Sequence, residues 1–410
     1  MWSARVSMSA GRALAGVVVP LYLADRGFSG LRLGALFVVV ALASAALSAT
    51  VGVASDRVGR RPFLIAFPLL TAAAAATFAT VHAQPALFVA AAAGSFGRGS
   101  GAGAGTVGPY QPAEAALVTE ITPPSWRNSA FGRLQFSSSL GALAGSLLAL
   151  LAGSGHLRRS EALPVFRSAF WATAAVCAVA GVLAVWMTEP VRPARAAAGA
   201  RRPRLPVGSR YLLVRLAATN SVNGLAVGMI GPFLTYWLYR RFGAGPAEVG
   251  LLYAAVNAVS MSSTLSAAGL ARRWGIVRTI SGVRALGALL IVPMVLAPTF
   301  VLAGFVYALR MVVQRAGLPL RQSYVVAMAD PEERSSVAAL SNVPSQVIMG
   351  LSPLASGYLL DDVSLSLPFE IAGVLQLVNA AMYWLFFRRL PPSDEVGDEP
   401  LPLPERHEMA

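Results

Sequence analysis

Apolar stretches long enough to cross a lipid bilayer recur about twelve times along this 410-residue chain, and nothing else in the sequence limits its fold so strongly. They cover residues 7–23, 33–54, 63–81, 85–117, 130–152, 166–187, 211–238, 247–270, 277–296, 299–328, 337–360 and 367–387. A bilayer interior offers no water to backbone amides and carbonyls, so each run must satisfy its own backbone as a helix or pair into a closed barrel. Runs of about twenty residues have the length of a spanning helix, roughly twice that of a spanning strand. The chain therefore reads as an all-α integral membrane protein. A hydrophobic fraction of 56%, a charged fraction of only 13% and a mean hydropathy of +0.61 are too apolar for an ordinary soluble surface. The first run carries Arg12 and Pro20 and leads directly into another apolar run, so it reads as a retained helix rather than a cleaved signal.

The formal charge of +14 is carried by arginine without lysine, and it falls mostly between the apolar runs. That distribution excludes a nucleic-acid face and points to bilayer orientation, because short loops rich in basic residues stay cytoplasmic. With the N-terminus inside, the cytoplasmic side collects Arg57, Arg60, Arg61, Arg127, the arginines of 188–210, Arg272, Arg273, Arg278, Arg334, Arg388 and Arg389. The other side holds fewer, mainly Arg26, Arg32, Arg158, Arg159, Arg240 and Arg241. Both termini are thus expected in the cytoplasm, in a multi-pass protein of the plasma (cytoplasmic) membrane. Residues 188–210, rich in Pro, Ala and Arg, divide the runs six and six and read as a basic cytoplasmic linker between bundles at 1–187 and 211–390. The tail 391–410 alternates Pro with acids and reads as disordered. One cysteine, Cys177, and three scattered histidines offer no disulfide and no metal cluster, so no cofactor is expected.

A short polar stretch between the second and third runs concentrates chemistry: Gly52-Val-Ala-Ser-Asp56-Arg57-Val-Gly59-Arg60-Arg61-Pro62. Its glycines suit a helix end and a turn, and Pro62 suits the first turn of the next helix, so it reads as a tight reversal between antiparallel helices. The two halves also repeat. Gly16-Val-Val-Val-Pro20 is matched by Gly228-Met-Ile-Gly-Pro232, Gly34-Ala-Leu-Phe by Gly250-Leu-Leu-Tyr, and Pro112, Pro124 and Arg127 by Pro319, Pro331 and Arg334. Duplicated halves with Gly and Pro at matching depths are what a rocking transporter needs.

The polar stretch resembles the G-x-x-x-D-R-x-G-R-[RK] signature of the major facilitator superfamily, and the repeat extends that resemblance from the first run to the last. The resemblance implies two pseudo-symmetric six-helix bundles and secondary transport by alternating access. It implies a conformational gate at Gly52, Asp56, Arg57, Gly59, Arg60 and Arg61, with Asp56 fastening the cytoplasmic side in the outward-open state. It also implies a central cavity lined by spans 1, 4, 7 and 10.

Ionisable side chains inside spans are costly and usually face a cavity. Arg12, Arg98 and Arg310 fall in spans 1, 4 and 10; Gln314 lies one turn from Arg310, and Asn220 and Asn223 can share a face of span 7. These six are the candidate substrate-cavity residues, although Arg12 can equally snorkel to the interface. Arg315 and Arg321 are expected in charge networks with Asp330, Glu332 or Glu333, and Glu114 opposite Arg127 or Arg133. Seven glycines from Gly94 to Gly108 suggest a bending point in span 4. The embedded Gly103-x-Gly105-x-x-Gly108 lacks the strand and βαβ unit of a dinucleotide site. No catalytic motif is present, so the chain reads as no enzyme.

The expected function is secondary transport of a small organic solute, leaning to an anionic or amphipathic one because intramembrane arginines outnumber acids. Protons are the candidate coupling ion, the lipid bilayer the other partner, and a monomer the expected state. The alternative is a proton-coupled multidrug efflux pump, for which Gly141-Ala-Leu-Ala-Gly145-Ser146 carries only part of the antiporter signature of span 5. A non-transporting membrane receptor or scaffold would explain the spans but not the repeat.

Overall fold

The computed structural model describes residues 1–97, 108–123, 126–153, 159–187, 189, 210–328, 337 and 340–388. Arg98, most of the central linker, the acids at 330–333 and the tail lie outside the described residues, so the expectations attached to them are not met or refused by the fold.

Fifteen α-helices are described, and they make the twelve spans. The first half contains α1 (Trp2–Asp25), α2 (Gly30–Val58), α3 (Arg61–Thr80), α4 (Gln84–Gly94), α5 (Gln111–Ile121), α6 (Arg127–Leu148) and α7 (Arg159–Val185). The second contains α8 (Arg210–Ile230), α9 (Leu234–Phe242), α10 (Pro246–Trp274), α11 (Ile276–Leu289), α12 (Ile291–Leu296), α13 (Phe300–Met328), α14 (Val343–Asp362) and α15 (Leu367–Phe387). Among the described residues, eight stretches are long and apolar enough to cross a membrane by composition alone. Proline stands in the first turn of α3, α4, α5, α14 and α15, where its missing amide costs no hydrogen bond.

Three spans are interrupted, each for a local reason. In span 4, Ser95 and Gly97 take positive φ (53° and 89°) immediately after α4, so the helix ends at the start of the glycine run where a bending point was expected. Span 7 turns between α8 and α9 at Gly231-Pro232-Phe233, where proline cannot donate to the helix ladder. Span 9 breaks at Leu290, three residues before Pro293. The turn after span 2 is also shorter than the sequence suggested. Gly52 lies inside α2, and the reversal is confined to Gly59 (φ +100°) and Arg60. A helix can run on past its lipid-facing segment, which is why hydropathy alone ended this one early.

Within each half, the same pair of spans meets backbone to backbone. A Cβ on Gly141 or Gly145 of α6 would fall 2.2 Å from Val6 O or 2.0 Å from Ala10 O of α1. In the second half the glycines sit on the other partner: a Cβ on Gly224 or Gly228 of α8 would fall 2.5 Å from Ser345 O or Met349 O of α14. Small residues are how membrane helices reach van der Waals contact without a hydrophobic drive between them.

The halves join mainly through α2 against α14 and α6 against α10. The aligned glycines Gly34 and Gly250 lie at these two joints, with Cβ positions 2.4 Å from Pro353 O and 2.6 Å from Ser146 O of the other half. Both joints are at the end of the molecule away from Arg57, Arg60, Arg61, Arg278 and Arg388, here called the far end as against the basic end. There Asp361, at the end of α14, caps the start of α2: its carboxylate accepts from Gly30 N at 2.8 Å and Leu31 N at 2.9 Å. Phe37 of α2 meets Phe233 edge-on at 5.6 Å.

The apolar core follows the same division. Toward the far end one continuous cluster runs through both halves, from Val19, Phe37 and Phe78 to Phe233, Trp237 and Phe369. Toward the basic end it splits into two, Met8, Leu64, Phe67 and Leu117 in the first half and Leu216, Ile280, Tyr324 and Phe387 in the second.

Candidate functional site

At the basic end, the turn after α2 is held by carboxylates from its own half. Glu189, just beyond α7, accepts from Arg60 N at 2.9 Å and Arg61 N at 3.1 Å, and a Cβ on Gly59 would meet its Oε2 at 3.0 Å. The Arg60 guanidinium pairs with Glu120, at the end of α5, at 2.6 Å, and Arg61 donates to Val185 O. Asp56 and Arg57 lie in the last turn of α2, and the side chain of Asp56 is outside the described set. Glu189 was not foreseen. It is an acid placed directly after a span in an arginine-rich segment, and that was the available signal.

Arg12 serves the break in span 4. It donates to Gly94 O at 3.2 Å and Ser95 O at 3.0 Å, while a Cβ on Gly108, across the break, would fall 2.9 Å from its Nη1. The guanidinium thus meets carbonyls that a terminated helix leaves without partners. Two turns of α1 toward the basic end, Arg5 pairs with Glu114, which is 3% exposed and does not pair with Arg127 or Arg133 among the described contacts. Arg127 instead donates to Thr119 O at 3.1 Å. Arg5 also donates to Ser138 Oγ at 2.9 Å, which lies 3.0 Å from Ser9 Oγ. The buried pair escaped sequence reading because Arg5 precedes the apolar run while α1 already begins at Trp2.

The remaining candidates gather in the second half. Arg310 is 3% exposed and donates its Nε to Gly287 O at 3.1 Å. Arg321 donates to Asn220 Oδ1 at 2.8 Å, and the Asn220 amide in turn donates to Ser341 O at 3.0 Å. Arg284 donates to Asn379 Oδ1 and lies 5.0 Å over the Tyr383 ring, while the Asn379 amide donates to Thr219 O. Arg315 reaches Asn257 Oδ1 at 3.4 Å. A cavity of about 550 Å³, counting the space open to solvent, is lined by Asn223, Gln314, Arg284, Arg321, Gln376 and Asn379 together with small and aliphatic residues. The structure therefore brings Asn223 and Gln314 onto one cavity, with Asn220 bonded to a residue of its wall and Arg310 to the backbone of another, and puts Arg12 elsewhere. Arg284, Gln376 and Asn379 were missed, although an arginine eight residues into an apolar span is the same signal that marked Arg310.

These groups can bind and orient a polar solute; no cluster of His, Cys, Asp and Glu suited to a metal ion occurs among the described residues. Known proteins agree on what surrounds the cavity. The chain is 25% identical over 394 residues to the "Multidrug resistance protein MdtH" of Edwardsiella ictaluri (strain 93-146), covering 92% of this chain and 91% of that one. Among solved structures it superposes on a bacterial homolog of the human lysosomal transporter Spinster with TM-score 0.71 and 16% identity, over 94% of this chain and 96% of that one. It superposes on a D-xylose-proton symporter with TM-score 0.68 and 15% identity, over 94% and 95%. The model of the Major Facilitator Superfamily matches residues 1–309 and again 216–407, from one end of the described fold to the other. The chain is a multi-pass membrane protein and belongs to the Major Facilitator Superfamily of transporters.

Proposed function

We propose that the protein is a secondary transporter that carries a small organic solute, anionic or amphipathic, across the plasma (cytoplasmic) membrane by alternating access. The division of the core carries this reading: one apolar cluster bridges the halves at the far end and two separate clusters fill them at the basic end. A ligand between such bodies exchanges with the side on which they part, and rocking about the joint exposes it to the other. The basic end is cytoplasmic by its arginine excess, so the conformation is the inward-open one. On this reading Arg60 and Arg61, bonded to Glu120, Glu189 and Val185 O, await the partner that closes the inner side, with Asp56 and Arg57 next to them in the last turn of α2.

Multidrug efflux by proton antiport is the second reading, favoured by the name of the curated relatives and by Glu114, a buried carboxylate able to exchange Arg5 for a proton. The test is counterflow in proteoliposomes containing only the purified protein, with anionic metabolites and amphipathic dyes, with and without a pH gradient. Saturable exchange of at least one anionic or amphipathic compound supports transport, and acceleration by the gradient selects proton antiport. Exchange restricted to cationic dyes overturns the anionic preference, and no exchange of any compound overturns transport.

A further inference from the structure

We propose that the second half holds, inside its own helix bundle, a pocket for a compact oxyanion such as a carboxylate or phosphate group. The polar wall of the cavity comes from four helices of one half: Asn223 of α8, Arg284 of α11, Gln314 and Arg321 of α13, and Gln376 and Asn379 of α15. Among the described residues, none of α1 to α7 lines it. Ile280 of its wall belongs to the apolar cluster of Leu216, Leu320, Tyr324, Tyr383 and Phe387 toward the basic end.

Donor accounting identifies the ligand. Each guanidinium carries five N–H groups. Among the described residues Arg284 gives one nitrogen to Asn379 Oδ1 and Arg321 one to Asn220 Oδ1. Both amides are fixed by donating to backbone carbonyls, Thr219 O and Ser341 O, so they aim the arginines without neutralising them. Gln376 is 6% exposed, and its buried Nε2 has no partner among the described residues. Two cations and an orphan amide donor thus line one cavity. The acids described in this half, Glu248, Asp361, Asp362 and Glu370, sit in first or last turns toward the far end. A charge in this setting requires an anion, a carbonyl or water. Planar forks and amide N–H groups match the divided oxygens of a carboxylate or phosphate better than a single halide.

Because the whole pocket belongs to one half, it moves with that half, and a bare anion in it does not by itself favour either conformation. If the transporter reading holds, the pocket takes the anionic head of the solute while the rest of the molecule reaches the space between the halves. The pocket itself does not depend on that reading.

The test uses the full-length protein in phosphatidylcholine bilayers, titrated with inorganic phosphate against chloride at equal ionic strength, with calorimetry and melting temperature as readouts. Saturable phosphate binding is expected, weakened at least about tenfold in Arg284→Gln and Arg321→Gln. Gln376→Glu keeps both arginines and supplies an internal carboxylate. It is expected to abolish the phosphate response while melting in phosphate-free buffer stays as high as in the parent protein or rises. A response in phosphatidylcholine that disappears in phosphatidylglycerol assigns the pocket to a lipid phosphate, and a response in both assigns it to a soluble anion. Equal effects of phosphate and chloride, or an undiminished phosphate response in Gln376→Glu and Arg321→Gln, would overturn the pocket. Neither result depends on the counterflow panel.

Discussion

The two halves share an architecture but treat their buried arginines differently. In the first, Arg5 is joined to Glu114 in a buried pair and Arg60 to the more exposed Glu120, while Arg12 meets the carbonyls at the break in span 4. In the second, Arg284, Arg310 and Arg321 meet neutral oxygens, and Arg284 also the Tyr383 ring, among the described residues. A buried ion pair is self-contained: it satisfies both partners and leaves little for a ligand to add. An arginine held by an amide or carbonyl keeps its charge and most of its donors. The pseudo-repeat thus carries a buried ion pair in one half and arginines held on neutral groups in the other, which on the proposal above receives an anion, a difference that the sequence repeat alone does not reveal.

The largest expected effect tests the buried ion pair of the first half. Glu114→Ala leaves Arg5 buried beside Ser138 without its carboxylate, and breaking a buried pair costs about 3–5 kcal/mol. The purified variant should melt well below the parent or fail to accumulate. Replacing both partners with apolar residues, Arg5→Met with Glu114→Leu, should recover most of the loss. If the single variant melts like the parent, the pair is not what makes the first half self-contained.

A smaller effect is expected from the same operation in the second half. Asn379→Leu removes the acceptor of Arg284 and the donor to Thr219 O, and leaving such groups unsatisfied costs about 1–3 kcal/mol. Arg284 still faces a cavity that water can enter, so the loss in melting temperature should be clearly less than for Glu114→Ala. Added phosphate should not restore the parent value, because the arginine is no longer aimed. Equal losses in the two halves would erase the distinction drawn between them.

Much of this was legible in the sequence, for identifiable reasons. The spans were readable because a bilayer enforces continuous apolar runs. The repeat was readable because Gly34 and Gly250 must both be small where α2 meets α14 and α10 meets α6. Helix ends were less legible: α1 starts at Trp2 and α2 passes through Gly52 to Val58, since hydrogen bonding continues where lipid contact stops. Partners were least legible. Arg5 and Glu114 are 109 positions apart, and Asp361 reaches Gly30 across 331, so their meeting depends on how helices cross rather than on any local pattern. Arg310 and Gln314 were found because a polar residue in an apolar run is conspicuous, yet which way each points was set by neighbours on α11 and α15.

The smallest expected effect concerns the carboxylate that spans the halves. Asp361 accepts from two backbone amides at the N-terminus of α2, where its charge also favours the helix dipole. An asparagine there can still accept hydrogen bonds but loses the charge, so Asp361→Asn should weaken far-end closure by about 0.3–1 kcal/mol, and Asp361→Ala by about 1 kcal/mol or somewhat more. A change of 1.4 kcal/mol is a tenfold shift between two states, so both changes stay within about that range. On the resemblance to the family's gate, Asp56→Asn should act in the reverse sense, by weakening closure of the basic end in the alternate state. Spin labels can be placed at exposed Val58 and Arg273 for the basic end and at exposed Arg32 and Asp362 for the far end. Asp361→Ala should shorten the first distance and lengthen the second, while Asp56→Asn should move the populations toward the conformation described here. Were both substitutions to shift the labels in the same direction, or Asp361→Ala to lower the melting temperature with no change in either distance, Asp361 would be a helix cap within a fixed joint and not a latch between two states.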